Sequence, residues 1–178
     1  YLQPEGITGE LLDCMAAHDT IASYLDIPLQ HVDPDVLRAL NRHGSYEEFI
    51  DLVERLRTRI PGITLRTTLI AGYPGETEAQ FERLCDFVEE AEFDYVGVFP
   101  YSQEEGTRAA TLPGQLDDQT KQQRAAAVRD VADAVSELKV RERVGKAMDV
   151  LVLGRDSDGQ RYGRALCQAP EVDGVVYL

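Results

Sequence analysis

The chain has 178 residues, 43% of them hydrophobic, with 32 acidic against 18 basic side chains and a net charge of −14. That length fits one domain, or one domain and a piece of another; the apolar fraction can build a core, and no window is long enough to span a membrane. No basic and apolar leader is visible at the start, and the excess of acid opposes binding to phosphate backbones while favouring a cationic partner or simple solubility.

In chain order, Tyr1-Leu2 reads as the end of a strand. A helix follows around Gly9 to Ala17 with Thr8 as its cap. Tyr24 to Leu29 is a short apolar strand that ends in Gln30-His31. Pro34 opens a helical turn through Leu40, and Ser45 with Glu48 forms a capping box for the next helix. Phe49, Val53, Leu56 and Ile60 make its buried stripe, and Pro61-Gly62 stops it. The strand Ile63 to Ala71 follows, then a helix presenting Phe81, Leu84, Cys85 and Val88 inward. Tyr95 to Tyr101 is another strand. A polar loop from Ser102 to Gln115 leads into a long helix over Gln119 to Arg143, with Val128, Val131, Ala132, Val135 and Leu138 as its stripe. Strand and helix alternate about every thirty residues, the pattern of right-handed βαβ units and a parallel sheet.

After Gly145 the pattern changes. Ala147 to Leu153, Arg161 to Leu166 and Val172 to Leu178 read as strands joined by turns at Asp156–Gly159 and Asp173-Gly174. This predicts the start of a small antiparallel barrel, too short to close on its own core. The division is residues 1–143, an α/β unit, and 144–178, the β segment.

The three cysteines, Cys14, Cys85 and Cys167, are too far apart for zinc or iron–sulfur spacing. Their odd number in a chain without a leader reads as reduced thiols in a cytoplasmic protein. Cys85 sits on an apolar helical stripe and reads as core.

The densest signal is Arg66 to Thr77 (RTTLIAGYPGET). Thr68 to Ala71 is a buried-strand run, Gly72, Pro74 and Gly75 force a sharp turn, and Thr77 with Gln80 is a capping box. Such a turn aims free N–H groups above the C-terminal edge of a parallel sheet, where α/β folds place ligands; it also serves as a plain connection. The other strand ends carry Gln30-His31 and Tyr101-Ser102, with Glu104-Glu105 beyond. Gln30 and His31 suit a ribose or an amino-acid head group, and His31 equally suits a structural role. Arg66 suits a carboxylate clamp or a salt bridge to a neighbouring acid. Glu104 and Glu105 fit a solvated loop. These residues define a ligand-binding α/β barrel segment and leave its reaction open.

Tyr24 to His31 (YLDIPLQH), Arg66 to Thr77, Phe93 to Thr107 (FDYVGVFPYSQEEGT) and Gln168 to Gly174 (QAPEVDG) resemble, in this order, blocks of the radical SAM methylthiotransferases. The likeness is to the RimO type, which thiomethylates an aspartate of a small-subunit ribosomal protein. Tyr73, Pro100 and Leu40 stand where that family is expected to have Phe, Thr and Met. The tRNA-modifying MiaB type is the rival. It usually has Gln-Ser-Gly-Ser where this chain has Gln30-His31-Val32-Asp33, and the acidity also points away from nucleic acid as the main substrate. A non-catalytic acidic module docking a basic ribosomal protein is a further alternative, as is a phosphate-binding barrel of another family.

The resemblance implies S-adenosyl-L-methionine (SAM) and two [4Fe–4S] clusters in the full-length enzyme, none of them held by residues of this chain. It places the CxxxCxxC motif and an N-terminal domain upstream of Tyr1. The chain is then expected to be the later part of a radical SAM barrel and the opening of a TRAM domain, inactive alone. By the same resemblance Gln30, His31, Arg66, Gly72, Gly75 and Glu76 are expected around SAM, with Tyr101 and Ser102 on the substrate side. The expected partners are a basic small-subunit ribosomal protein and the N-terminal half of the same enzyme, with no membrane.

Overall fold

In the computed structural model, which describes residues 2–178, the chain forms two sheets. The first is parallel, in the order β1 (Tyr24–Gln30), β2 (Thr64–Ala71), β3 (Tyr95–Pro100). Its helices are α1 (Gly9–Ala17), α2 (Pro34–Ala39), α3 (Tyr46–Arg59), α4 (Glu78–Ala91) and α5 (Asp118–Arg141). The second sheet is antiparallel, β4 (Val150–Arg155), β5 (Arg161–Ala165) and β6 (Val176–Tyr177).

Alternation along the strands sorts the two faces of the first sheet. Leu25, Ile27 and Leu29 of β1 and Leu65, Leu69 and Ala71 of β2 are buried in the core together with Phe49, Leu56, Leu84, Phe87 and Val128 of the helices. Phe87 lies at the centre, 5.4 Å from the Tyr46 ring and 6.1 Å from that of Phe93. Asp26, Arg66, Thr68, Tyr95 and Gly97 occupy the opposite face, with Arg66 in register with Asp26 on one side and Tyr95 on the other.

β1 carries a bulge between Ile27 and Gln30, because Pro28 has no N–H to give to the ladder. The Thr67 hydroxyl fills the gap: it donates to Ile27 O at 2.8 Å and accepts from Leu29 N–H at 3.4 Å. Gln30 leaves the bulge with φ +71°. That twist delivers His31 into the interior.

Several element limits differ from expectation. Leu2 is not in a strand, although its N–H donates to Asp26 O at 3.0 Å; Tyr1 lies outside the described residues. α5 begins at Asp118, capped by Asp117, and ends at Arg141. Leu138, expected to face inward, is 59% exposed, because the last turns of α5 run past the core. The strand expected over Val172 to Leu178 shrinks to Val176–Tyr177, since Gly174 at φ +78° turns the chain just before it. Of the capping box expected at Ser45 only one half forms, Ser45 accepting from Glu48 N–H, whereas at Thr77 both halves form.

Candidate functional site

The C-terminal edge of β2 runs through Gly72, Tyr73, Pro74 and Gly75 into α4. Gly72 and Gly75 have φ of +81° and +82°, a conformation that costs an L side chain energy. At Gly72 space is also lacking: a Cβ there would lie 2.8 Å from Lys121 Cγ and 3.0 Å from Lys121 Cα. Gly75 has open space around it and donates its N–H to Gly114 O at 2.8 Å.

Glu76 holds this turn from behind. Both its carboxylate oxygens are 3.0 Å from Gly72 N, and Arg124 Nη1 donates to Glu76 Oε1 and to Glu76 O, each at 2.8 Å. The second guanidinium nitrogen of Arg124 donates to Glu78 at 2.8 Å, and its plane lies over the Phe81 ring. His31 Nε2 stands 3.3 Å from Glu76 Oε2, an ion-pair distance without linear hydrogen-bond geometry. Burial alone would raise the carboxyl pKa of Glu76. The adjacent His31 ring, then the Arg124 guanidinium and the Gly72 amide, outweigh it and hold the group below the usual carboxylate range. Asp33 N–H donates to His31 Nδ1 at 3.0 Å, so the ring hydrogen is assigned to Nε2, facing Glu76.

Beside the turn, Tyr101 continues β3 by donating its N–H to Ala71 O at 2.8 Å. Its ring meets Tyr73 edge-on at 5.3 Å and lies 5.6 Å from Lys121 Nζ. Its hydroxyl is buried with no hydrogen-bond partner. Ser102 is exposed and donates to Glu104 Oε1 at 2.7 Å. Phe99, near the same strand end, is 57% exposed.

Of the sequence-predicted residues, the structure brings His31, Gly72 and Glu76 into direct contact. Gln30 and Gly75 flank them, and Tyr101 lies across the edge. Arg66 does not join the group. It sits five residues before Ala71 in β2, roughly 17 Å along the strand from the turn. Its guanidinium is taken by Asp26 at 2.7 Å and Asp173 at 3.5 Å. The salt-bridge alternative fits the position of Arg66, whose guanidinium is engaged away from the glycine turn. Sequence reasoning also missed Arg124 and Lys121, both buried. A signal existed: the α5 stripe, continued toward the N-terminus by helical steps, lands on both.

A tight glycine turn beside an orphaned tyrosine hydroxyl and an exposed aromatic ring fits a cofactor with polar and flat parts, such as SAM. Among the described residues no group of three or more His, Cys, Asp or Glu side chains is placed to hold a metal ion, so these residues do not fit an iron–sulfur cluster. No helix among them is long and apolar enough to cross a membrane.

Residues 4–88 match the model of the radical SAM superfamily, and residues 144–178 match that of the TRAM domain. Two solved structures share the fold. Coproporphyrinogen III oxidase of Escherichia coli, described as a radical SAM enzyme, superposes with a TM-score of 0.54 at 22% identity, over 78% of this chain and 31% of that one. Archaeal Elp3 of Methanocaldococcus infernus gives 0.53 at 13% identity, over 90% and 50%. The fold, and the stretch that carries the glycine turn, are similar to those of the radical SAM superfamily.

The relatives narrow the class. Ribosomal protein uS12 methylthiotransferase RimO of Syntrophotalea carbinolica is 44% identical over the whole of this chain and 40% of its own length. The same enzyme of Thermosynechococcus vestitus is 45% identical, again over all of this chain and 40% of its own. The chain is similar over its whole length to RimO-type radical SAM methylthiotransferases, and it spans about 40% of the length of the curated relatives it matches.

Proposed function

We propose that this chain is the part of a RimO-type enzyme that forms the SAM-binding strand edge and seats the substrate, and that the enzyme methylthiolates the β-carbon of an aspartate in small-subunit ribosomal protein uS12. What carries the reading is the end-to-end similarity to RimO relatives in a chain whose glycine turn is built and braced for a ligand. Residues 1–143 supply the barrel part and residues 144–178 the TRAM part.

When bound, SAM and two [4Fe–4S] clusters held by other residues supply the radical, the sulfur and the methyl group. The chain's own groups position. Gln30 and the exposed backbone surface of the Gly72–Gly75 turn meet SAM at the edge, while the Gly72 and Gly75 amides stay bound to Glu76 and Gly114. His31 and Glu76 hold the turn in shape and are themselves shielded from ligand. Tyr101 and Ser102 line the substrate side. The net charge of −14 suits a basic ribosomal protein and steers it electrostatically. The protein works in the cytoplasm, where that substrate is made.

Equilibrium binding of SAM to the purified protein carrying this chain tests the assignment. Gly72→Ala is expected to weaken binding roughly tenfold, because the turn must open to admit a Cβ. Unchanged affinity would remove the turn from the site.

A further inference from the structure

Three sequence blocks far apart in the chain meet at one buried polar cluster on the face of the first sheet that carries Asp26 and Arg66. Asp173 comes from the loop between β5 and β6, and its side chain is 1% exposed. Tyr24 OH donates to Asp173 Oδ2 at 2.6 Å. Arg66 Nε lies 3.5 Å from Asp173 Oδ1, while Arg66 Nη1 donates to Asp26 Oδ2 at 2.7 Å. The same Asp173 Oδ2 accepts from Ala169 N–H at 2.7 Å, and Gln168 Nε2 donates to Asp173 O at 3.1 Å. One carboxylate thus folds its own loop and ties it to two strands of the other sheet. Burial first, and then the Asp173 carboxylate, push the Tyr24 phenol up, so it stays a donor at neutral pH.

The surroundings make this tie matter. The joint is not packed solid. A groove of about 520 Å³ runs between Ala22 and Tyr24 on one side and Arg164, Ala169 and Pro170 on the other. A second cavity of about 180 Å³ lies among Arg66, Tyr95, Ser136 and Asp173. With little apolar contact across the joint, a fully buried carboxylate there is costly unless its partners repay it. Asp26 Oδ1 and Asp173 Oδ1 have no hydrogen bond, so the single guanidinium between them is the charge both depend on.

We propose that Asp173, Arg66 and Tyr24 form the clamp that seats the C-terminal β unit on the parallel sheet, and that they act as positioning residues for the ribosomal-protein substrate, away from the cofactor. The substrate half of this rests on the reading under Proposed function; the clamp itself does not.

The test uses the purified protein carrying the chain, with Asp173→Asn and Tyr24→Phe made singly and together. Hydrogen–deuterium exchange is read at residues 161–178, alongside SAM affinity and the kinetics of ribosomal-protein modification. Each single variant is expected to speed exchange there roughly tenfold, the loss of one charge-assisted hydrogen bond. The double variant should add less than the sum, since both changes break one network. KM for the ribosomal protein should rise while kcat and SAM affinity hold. Exchange unchanged in both single variants overturns the clamp. Loss of SAM affinity with an unchanged KM returns these residues to the cofactor and overturns their positioning role. A wild-type protein that neither binds SAM nor modifies a ribosomal protein sinks the functional reading and the substrate half, and the exchange data alone then decide the clamp.

Discussion

His31 Nε2 and Glu76 Oε2 stand 3.3 Å apart, and neither side chain is reached by solvent. The pair joins the end of β1 to the start of α4, and Arg124 adds α5 to the same carboxylate. Three elements distant in sequence are locked behind one glycine turn. The shape of this strand edge is therefore set by the chain's own contacts, which would lower the cost of binding the proposed ligand.

Glu76→Ala removes the acceptor shared by Arg124 and the Gly72 amide and leaves a buried guanidinium half paired. We expect a loss of about 3 kcal/mol, the scale of breaking a buried pair from one side. Urea unfolding of wild type and variant measures it.

The Glu76 pKa is lowered in the folded state. A carboxylate of this kind contributes stability that is fully present above its unfolded pKa, about 4.3, and is lost as pH falls through the lower folded value. Urea midpoints taken from neutral pH down to about pH 3 should fall in acid, and less steeply in Glu76→Gln, which has no charge to lose. Equal slopes would place the acid-sensitive group elsewhere.

Gly72 and Gly75 share a left-handed backbone but differ in their surroundings. Gly75→Ala pays only the conformational cost, about 1 kcal/mol. Gly72→Ala must also push aside Lys121, including its backbone Cα, and we expect at least about 2 kcal/mol. Thermal melts of the two variants side by side give the difference.

Burial, reinforced by nearby acids beginning with Asp86, pushes the Cys85 thiol up to about 11. Cys14 is exposed. Iodoacetamide at neutral pH should label Cys14 and spare Cys85, because the thiolate is the nucleophile. Peptide mass spectrometry reads the ratio, and preferential labelling of Cys85 would contradict its packing against the core.

What the sequence made legible is what short-range chemistry encodes. The Thr77–Gln80 capping box, the positive-φ glycines and the stripe through Phe49, Val53 and Leu56 depend on neighbours within a turn or two. Glu76 was legible as part of the turn, but its task was not, since Arg124 reaches it from 48 residues away. The surroundings of Arg66 were hidden for the same reason: Asp173 reaches it from the far end of the chain. The bulge at Pro28 was hidden because its repair depends on the Thr67 hydroxyl of the next strand. Leu138 followed helical periodicity correctly, yet α5 outruns the core it was expected to face.

The account turns on which molecule the enzyme modifies. Peptide mass spectrometry of ribosomal protein uS12 from cells with and without the gene decides it most directly. We predict a methylthio group on one aspartate in the parent strain, absent on deletion and restored by the intact gene. An aspartate still modified after deletion, with a methylthiolated tRNA base lost instead, would contradict the assignment.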